Sequence, residues 1–595
     1  MPKGTHTVAA LAAMCGLMAA QQPQNPNVLM LYVEDVNYDL GTFGHPTVKT
    51  PNLDILAQRA TRFQRAYCPY PVCAPSRVAT MLGLRASTTA LVGNRFGTLA
   101  TNSYMGVSIL PKQFKDAGYA TGGAGKLFHD GQQHANTWDS YTYATSDHWV
   151  SQPTNPVPQQ SWRVLYGGPF MNGPQGHLGK MADTKHSDAA MNMMATLPQP
   201  WFIGVGYVAP HAPYVYPEAF EGLYDPSTVA PLPPQEASGL WKNEVPNSMW
   251  QSPVFCDPAW GATDDEQRRN ATVHYWRTIT FIDHEIGRVL KQLKTLDLED
   301  DTIIVFVSDH GWSMGLHDRY GKFSLFDHEA KAPMLISVPW ETSSHGETCT
   351  GPVSHLDIYP TLMDYCGLPS PPQLEGNSLR AQLQDPSTIT PPVHTLLATS
   401  WETRWLHMVT SDRYKFIYHE PRFGQQQNML FDLQTDPGEY NNLYNDPAHS
   451  GQVLLHNGLL VTEGLLDASW NNFGGGGIGS QGTPTLQLDA PPRLGTTPNI
   501  IMGNSSGQPA FGLLISGWAS QRTTGPAVLG GPLLVTSNVQ EPVQLSITGA
   551  TKPLPIPSSQ TLLGHSFLMQ LLHYDVGASH NAAFSPGLRA CIMAN

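Results

Sequence analysis

The chain has 595 residues, of which 41% are hydrophobic and only 13% charged, with 54 glycines and 51 prolines. This is the composition of a loop-rich globular protein of about two to four domains. The formal net charge of −14 argues against nucleic acid as a partner, but not against a small anionic substrate, because a local group of Lys, Arg and His can oppose the global sign.

The first twenty residues are predicted to be a secretory signal peptide. Lys3 and His6 form a short polar start, and the apolar core "VAALAAMCGLMAA" precedes the polar "QQPQNP". Cys15 raises the alternative of a lipidated cysteine, but Met14 fits poorly before such a site, so cleavage near Ala20 is favoured. We therefore expect a secreted or periplasmic protein, with no run elsewhere long enough for a transmembrane helix.

Export places the thiols in an oxidising compartment, where cysteines tend to pair. Six of the seven cysteines follow the signal segment, which is few for this length, so disulfides are not expected to organise the fold. Cys349 and Cys366 could pair, and Cys68 could pair with Cys73 in a small, stiff ring. Connectivity cannot be fixed from sequence, and both possibilities stay open.

From Asn27 to about Cys366, short apolar runs alternate with amphipathic stretches. "NVLMLYV", "PWFIGVGYV" and "DTIIVFV" have the length and continuity of buried strands. Two stretches have the apolar spacing of helices, one through Leu53, Leu56, Ala57 and Ala60, the other through Ile279, Ile282, Ile286, Val289 and Leu290. This alternation predicts an α/β fold on a largely parallel sheet.

After Cys366 the composition and the apolar pattern of the sequence change, and three further segments can be distinguished. Residues 371–470 contain "VTSDRYKFIYHE" and "NMLFDLQTDPGEYNNL", which predict strands and turns of a smaller α+β subdomain. Residues 471–483 are glycine-rich and predict a linker. Residues 484–595 consist of short apolar segments broken by Gly, Pro, Asn and Ser, which predicts an all-β domain.

Charged and imidazole groups follow four separate strand candidates, which are the three runs above and "YATGGAG" before Lys126. Ligands of open α/β sheets bind outside the carboxyl ends of the strands, so these groups are expected to meet. Each group alone is weak, because a lone histidine is usually a surface or hydrogen-bonded residue and an acidic pair is often a helix cap. The candidates are Glu34, Asp35, Lys126, His129, His211, Asp309 and His310, to which Arg77 and Lys322 add positive charge.

The chain resembles the formylglycine-dependent sulfatases of the alkaline phosphatase superfamily. "CAPSR", from Cys73 to Arg77, matches their C-x-P-S-R modification signature, and "SDHGWSMGLHDRYGK", "HLDIYPTLMDYCGL" and "LFDLQTDPGEYNNL" are similar to later blocks in the expected order. "GKLFH" and "VGYVAPHAPYVYP" resemble the iduronate-2-sulfatase-like bacterial members. The resemblance covers about Asn27 to Leu443.

The resemblance implies an alkaline-phosphatase-like mixed sheet sandwiched by helices, with residues 21–370 as the catalytic domain. It implies that a formylglycine-generating enzyme converts Cys73 into the nucleophile. The resemblance also implies a bound divalent cation, Ca²⁺ or alternatively Mg²⁺, that faces the converted Cys73. The implied metal ligands are Glu34, Asp35, Cys73, Asp309 and His310, and the implied catalytic residues are Cys73, Arg77, Lys126, His129, His211 and Lys322.

In this interpretation Arg77, Lys126 and Lys322 neutralise the sulfate, His129 assists the nucleophile and His211 protonates the leaving alcohol. Three positions depart from the family pattern: Glu34 stands where Asp is common, His310 where Asn is frequent, and "MLGLR" where Leu-Thr-Gly-Arg is usual. The expected substrate is a sulfated polysaccharide or oligosaccharide. The alternatives are a phosphodiesterase or phosphonate monoester hydrolase of the same superfamily, and an inert carbohydrate-binding protein.

Overall fold

The computed structural model describes residues 22–89, 91–94, 103–104, 107–129, 135–144, 181–212, 214–238, 265–399, 404–419 and 428–462, together with nine short strands between Asn472 and Cys591. The predicted signal peptide, Cys15 and Cys256 lie outside the described residues, as does most of the predicted linker. Within the described residues, no helix is both long and apolar enough to cross a bilayer.

The first domain is built on an eight-stranded mixed sheet with the strand order β12-β2-β11-β8-β1-β7-β5-β6. Its strands are β1 (Asn27–Val33), β2 (Thr61–Tyr67), β5 (Ala120–Gly125), β6 (Ser140–Thr142), β7 (Trp201–Gly206), β8 (Thr302–Ser308), β11 (Met334–Ser337) and β12 (Thr348–Ser354). All neighbours pair in parallel except β11, which is antiparallel to β2 and β8. Two hairpins lie outside this sheet, formed by β3 (Ser103–Tyr104) with β4 (Val107–Ser108) and by β9 (Ser313–Met314) with β10 (Tyr320–Gly321).

Helices cover both faces of the sheet. The helices of the described residues are α1 (Pro51–Ala57), α2 (Cys73–Leu82), α3 (Ala86–Thr89), α4 (Leu110–Asp116), α5 (Ala182–Thr196), α6 (Pro234–Ser238), α7 (Asp265–Thr295), α8 (Asp327–Ala330), α9 (Ile358–Tyr365), α10 (Arg380–Gln384) and α11 (Ser450–Thr462). Alternate residues of β1 enter two different cores, as the period of two requires. Leu29 and Leu31 pack with α1, α5 and α7, whereas Val28 and Met30 pack with α2, α4 and α9.

The strands predicted from continuous apolar runs are confirmed as β1, β7 and β8, each fully buried. The predicted helices are confirmed as α1 and α7, although Ala60 lies beyond the end of α1 and Leu290 is only partly buried. The sheet is buried on both faces, which explains why its strands read as continuous rather than alternating apolar runs.

A smaller α+β unit comes next in the chain, as predicted. It contains the antiparallel sheet β13 (Val393–Thr399), β14 (Arg404–Thr410), β15 (Tyr414–His419) and β16 (Met429–Asp432), together with α11. Leu396, Met408 and Phe431 of this sheet share one apolar cluster with Tyr67 and Phe326 of the first domain. This shared core attaches the subdomain to the first domain.

The remaining described strands form two antiparallel sheets, consistent with the predicted all-β region. They are β17 (Asn472–Phe473), β18 (Leu486–Leu488), β19 (Asn499–Met502), β20 (Ala510–Trp518), β21 (Val539–Leu545), β22 (Ala550–Pro553), β23 (Ser566–Tyr574), β24 (Ala582–Phe584) and β25 (Gly587–Cys591). The larger sheet has the order β17-β25-β23-β20-β21 with β24 beside β23, and the smaller has the order β18-β19-β22.

Four of the cysteines have described side chains, and all four are buried free thiols. The pairing of Cys349 with Cys366 that the sequence left open is therefore not formed, and neither is a ring between Cys68 and Cys73. The buried thiols act as small apolar side chains, as free cysteines in cores commonly do.

Candidate active site

The carboxyl ends of four neighbouring parallel strands carry the predicted polar groups. Strand β1 lies between β8 and β7, with β5 beyond β7, so the residues at the carboxyl ends of these strands gather at one edge of the sheet. The groups are Glu34 and Asp35 after β1, Asp309 and His310 after β8, Lys126 after β5, and His211 in the loop after β7.

Asp35 has a left-handed backbone, with φ of 56°, which is uncommon for a residue with a side chain. Its backbone N–H donates to Asp309 Oδ1 at 3.0 Å, and the next N–H, of Val36, donates to Ser308 Oγ at 2.9 Å. These two bonds fix the turn after β1 against the end of β8. Strained residues of this kind persist where their surroundings over-determine them and are frequent at functional sites.

Cys73 is the first residue of α2 and is fully buried. Its Sγ lies 2.7 Å from Lys322 Nζ and 3.5 Å from His310 Nε2. Burial raises the pKa of the Cys73 thiol well above its ordinary value, although the charge of Lys322 acts in the opposite direction. The thiol is therefore protonated at neutral pH and is itself a weak nucleophile.

Three buried carboxylates surround this thiol, and each has a cationic partner. Glu34 pairs with Lys126 through Oε1, Asp35 Oδ1 lies 2.9 Å from Lys322 Nζ, and Asp309 Oδ2 lies 3.0 Å from Arg77 Nε. Three negative charges thus face three positive charges. A divalent cation added to this balanced set would leave two positive charges in excess, which favours an anionic ligand.

The pKa values of the three carboxyl groups diverge. Burial opposes the ionisation of Glu34, but the surrounding cationic side chains, Lys126 foremost, together outweigh burial and hold the pKa well below its usual value. Burial raises the pKa of Asp35, whereas His310 and Arg77 overcome burial and lower the pKa of Asp309. Diverging pKa values within one buried cluster are typical of functional sites.

The donor atoms fit a divalent cation. Glu34 Oε2 and Asp35 Oδ2 are buried and have no hydrogen-bond partner, which is costly unless a ligand compensates them. Two sets of possible ligand atoms each lie within 4.8 Å of one another, Glu34 with Cys73 and His211, and Asp35 with Cys73 and His310. Burial lowers the pKa of His310, so its ring is neutral and able to coordinate. Carboxylate oxygens are the ligands that Ca²⁺ and Mg²⁺ prefer.

Arg77 lies one helical turn after Cys73 and is fully buried. Besides Asp309, it donates to the carbonyl oxygens of Val33 and Lys126, and its guanidinium lies 4.6 Å from the centre of the Tyr32 ring. Arg77 therefore joins the ends of β1 and β5 to α2. A lysine could not satisfy these several acceptors at once.

His211 is the partly exposed member of the site, with 20% of its side chain accessible. Its Nε2 lies 4.0 Å from both Glu34 Oε1 and Asp35 Oδ2, and its Nδ1 lies 2.7 Å from the carbonyl of Ala212. The Ala212 contact leaves Nε2 facing the cluster. His129 lies three residues beyond Lys126 and is partly buried, and its role beside the nucleophile stays a prediction.

Several residues that support the site were not predicted from the sequence. Trp312 places its ring face 5.4 Å from Lys322 Nζ, and Arg319 donates to the Lys322 carbonyl at 2.9 Å. Both stand in "SDHGWSMGLHDRYGK", so the motif could have indicated them. Asp183, at the start of α5, accepts hydrogen bonds from the backbone of Val208 and Ala209 and carries no such signal.

The family model described as "Sulfatase" matches residues 26–368, and the one described as "N-sulphoglucosamine sulphohydrolase, C-terminal" matches residues 315–460. Iduronate 2-sulfatase of Homo sapiens is 29% identical over 419 residues, which span 63% of this chain and 76% of the relative. The structures of a phosphonate monoester hydrolase from Agrobacterium radiobacter and of a 2-O GAG sulfatase both align with a TM-score of 0.59. The first is 20% identical and covers 75% of this chain and 98% of its own, and the second is 22% identical and covers 74% and 92%. At these identities the two structures support the fold alone.

Proposed function

Because the chain belongs to the sulfatase family and is a sulfuric ester hydrolase, we propose that Cys73 is the precursor of its formylglycine nucleophile and that its substrates are sulfated polysaccharides or oligosaccharides. The observation that carries this proposal is the position of Cys73: a fully buried, protonated thiol at the start of α2, in contact with Lys322 and His310 and beside two unpartnered carboxylate oxygens. A buried thiol of raised pKa is poorly suited to attack by itself.

Conversion by a separate formylglycine-generating enzyme would replace the thiol with an aldehyde that hydrates to a gem-diol. One hydroxyl would attack sulfur while the bond from sulfur to the leaving oxygen breaks, and the other would lose its proton, expel sulfate and restore the aldehyde. This divides a difficult hydrolysis into two easier steps. His129 would assist the gem-diol, and His211 Nε2 would protonate the leaving alcohol.

Glu34, Asp35, Asp309 and His310 would hold a divalent cation, Ca²⁺ or alternatively Mg²⁺. When bound, the ion would polarise the sulfate oxygens and lower the pKa of the nucleophile. Lys322 would donate to a sulfate oxygen from its position against Cys73, and Lys126 and Arg77 would supply the remaining positive charge. These groups are held by buried ion pairs, so little reorganisation is needed when charge develops.

Two observations support a carbohydrate substrate and action outside the cytoplasm. A curated relative that is 29% identical is an iduronate 2-sulfatase. The first twenty residues have the pattern of a secretory signal, which would place the enzyme where sulfated polysaccharides occur.

The test is sulfate release by protein purified from a host that contains the modifying enzyme. The wild-type protein should release sulfate from aryl or sugar sulfates, and mass spectrometry should find formylglycine in the peptide that contains Cys73. Cys73→Ala should be inactive, whereas Cys68→Ala, which alters a buried thiol five residues away, should remain active. Full activity of Cys73→Ala would refute the mechanism.

The second candidate activity within the superfamily is hydrolysis of a phosphodiester or a phosphonate monoester. The same cation and lysines can stabilise a phosphodiester or a phosphonate monoester. Turnover of matched aryl sulfate, aryl phosphodiester and aryl phosphonate substrates separates the two, and the proposal requires the sulfate to have the highest kcat/KM.

A further inference from the structure

Lys322 reaches Cys73 from a loop whose backbone is strained. We call residues 313–326, from β9 to the residue before α8, the lysine loop. His317, Asp318 and Phe323 of this loop have φ of 54°, 52° and 79°, a conformation that residues with side chains rarely adopt. Such residues persist only where the surrounding structure holds them.

One end of the lysine loop is held by Lys415 of β15 in the C-terminal subdomain. Lys415 is fully buried, and its Nζ donates to the carbonyl of Leu325 at 3.0 Å. The same ammonium lies 2.5 Å from Asp327 Oδ1 and 2.6 Å from Glu439 Oε1. A buried cation between two carboxylates and a carbonyl has few alternative positions, so it fixes the residues that come after Lys322.

The residues around Glu439 hold both ends of the same loop. Glu439 Oε2 accepts the backbone N–H of Asp327 at 2.6 Å, and the Glu439 carbonyl lies 3.3 Å from His317 Nε2. The next residue, Tyr440, stacks on the His317 ring with centroids 4.9 Å apart. The subdomain therefore contacts the lysine loop on both sides of Lys322.

Contacts through α8 and Arg319 connect the subdomain to Lys322. Glu329 of α8 binds Arg319 Nε at 2.6 Å, and Arg319 Nη2 donates to the Lys322 carbonyl at 2.9 Å. Asp327, which Lys415 and Glu439 hold, is the first residue of the same short helix. A continuous chain of buried and partly buried contacts therefore runs from the subdomain to the backbone of Lys322.

We propose that Lys415 and Glu439 are positioning residues that hold Lys322 against Cys73 from outside the site. The inference rests on the proposed role of Lys322 in binding sulfate. Contacts that only attached the subdomain would affect stability alone. Contacts that position Lys322 must affect catalysis through that lysine.

The variants are Lys415→Met and Glu439→Gln, with Arg413→Met as the matched control. Arg413 lies just before β15 and pairs with Asp432 at 2.6 Å within the subdomain. At temperatures well below unfolding, Lys415→Met should lower kcat/KM about 10- to 100-fold, because a shift of about 1 Å in a catalytic group has effects of that size. It should also raise the inhibition constant of inorganic sulfate, whereas Arg413→Met should leave both values within about twofold.

A double-mutant cycle with Lys322→Ala gives the decisive measurement. If Lys415 acts through Lys322, then Lys415→Met should cause little further loss of kcat/KM in the Lys322→Ala protein. Multiplicative losses would overturn the inference, and so would wild-type kcat/KM in Lys415→Met. Glu439→Gln keeps an acceptor for the Asp327 N–H. If Lys415→Met does not fold, Glu439→Gln takes its place in the double-mutant cycle with Lys322→Ala. Wild-type activity of Lys322→Ala would instead refute the proposed function.

Discussion

Gly206, the last residue of β7, allows the main chain of Lys126 to reach the site. A Cβ at position 206 would lie 2.1 Å from both the carbonyl carbon and the carbonyl oxygen of Lys126, and 2.6 Å from the nitrogen of Leu127. Ordinary contacts of a Cβ begin at 3.4 Å. The obstacle is backbone rather than the tip of a flexible side chain, so the strand end itself must move.

Gly206→Ala is therefore expected to displace the Lys126 backbone by about 1 Å, since a close-packed interior has no free space to absorb a methyl group. Overpacking of this kind costs about 1–3 kcal/mol of the free energy of unfolding. The displacement would also disturb the Lys126–Glu34 ion pair, and a shift of this size in a catalytic group costs up to about 100-fold in rate.

The assay is kcat and KM for an aryl sulfate together with thermal unfolding. Gly122→Ala is the matched control, because its Cβ would meet the Met193 sulfur at 2.8 Å and the Leu197 side chain at 3.0 Å, and long side chains can adjust. Gly206→Ala should lose much more activity than Gly122→Ala for an equal fall in Tm. Wild-type kcat/KM in a folded Gly206→Ala protein would refute the reasoning.

Three further predictions concern loop position, acid stability and the cation. Asp183→Asn should remove one acceptor from the backbone that leads to His211, and should lower kcat more for a sugar sulfate than for an aryl sulfate, because a poor leaving group depends on the general acid. Burial lowers the pKa of His355 to about 3. Below about pH 6.5 the histidine therefore gains a proton in the unfolded chain but not in the folded protein. The free energy of unfolding should fall by about 1.4 kcal/mol for each pH unit in this range. His355→Leu should lack this contribution. In the Cys73→Ala protein, chelation of the bound cation should lower Tm. Addition of Ca²⁺ at about 100 times its Kd should then raise the free energy of unfolding by about 2.7 kcal/mol.

For Asp183→Asn, equal losses on both substrates would contradict the link to His211. For His355→Leu, urea unfolding at several pH values should give a stability difference from wild type that changes with pH between about 4 and 6, and a constant difference would contradict the assignment. For the cation, Glu34→Gln should weaken the response of Tm to Ca²⁺, and an unchanged Tm after chelation of metal-loaded protein would contradict the site.

The fold and the family were predictable because they depend on local signals. The apolar runs of β1, β7 and β8 have the length of buried strands, and the helical spacing of α7 extends over many turns. The strand ends then indicated which polar groups would meet, and the structure brings Glu34 and His310 to within reach of Cys73. The disulfide that the sequence allowed between Cys349 and Cys366 is not formed. Pairing depends on the distance between the cysteines in space, which their spacing along the chain does not fix.

The sequence by itself determined the α/β class, the membership of the sulfatase family and the cluster of charges at one sheet edge, since strand period and motif order are properties of neighbouring residues. Only the tertiary structure decided how those charges are held. Asp183 supports the loop of His211 from α5, and Lys415 supports the loop of Lys322 from the subdomain. Such contacts join residues far apart in the chain through backbone conformations, such as that of Phe323, that no local pattern encodes.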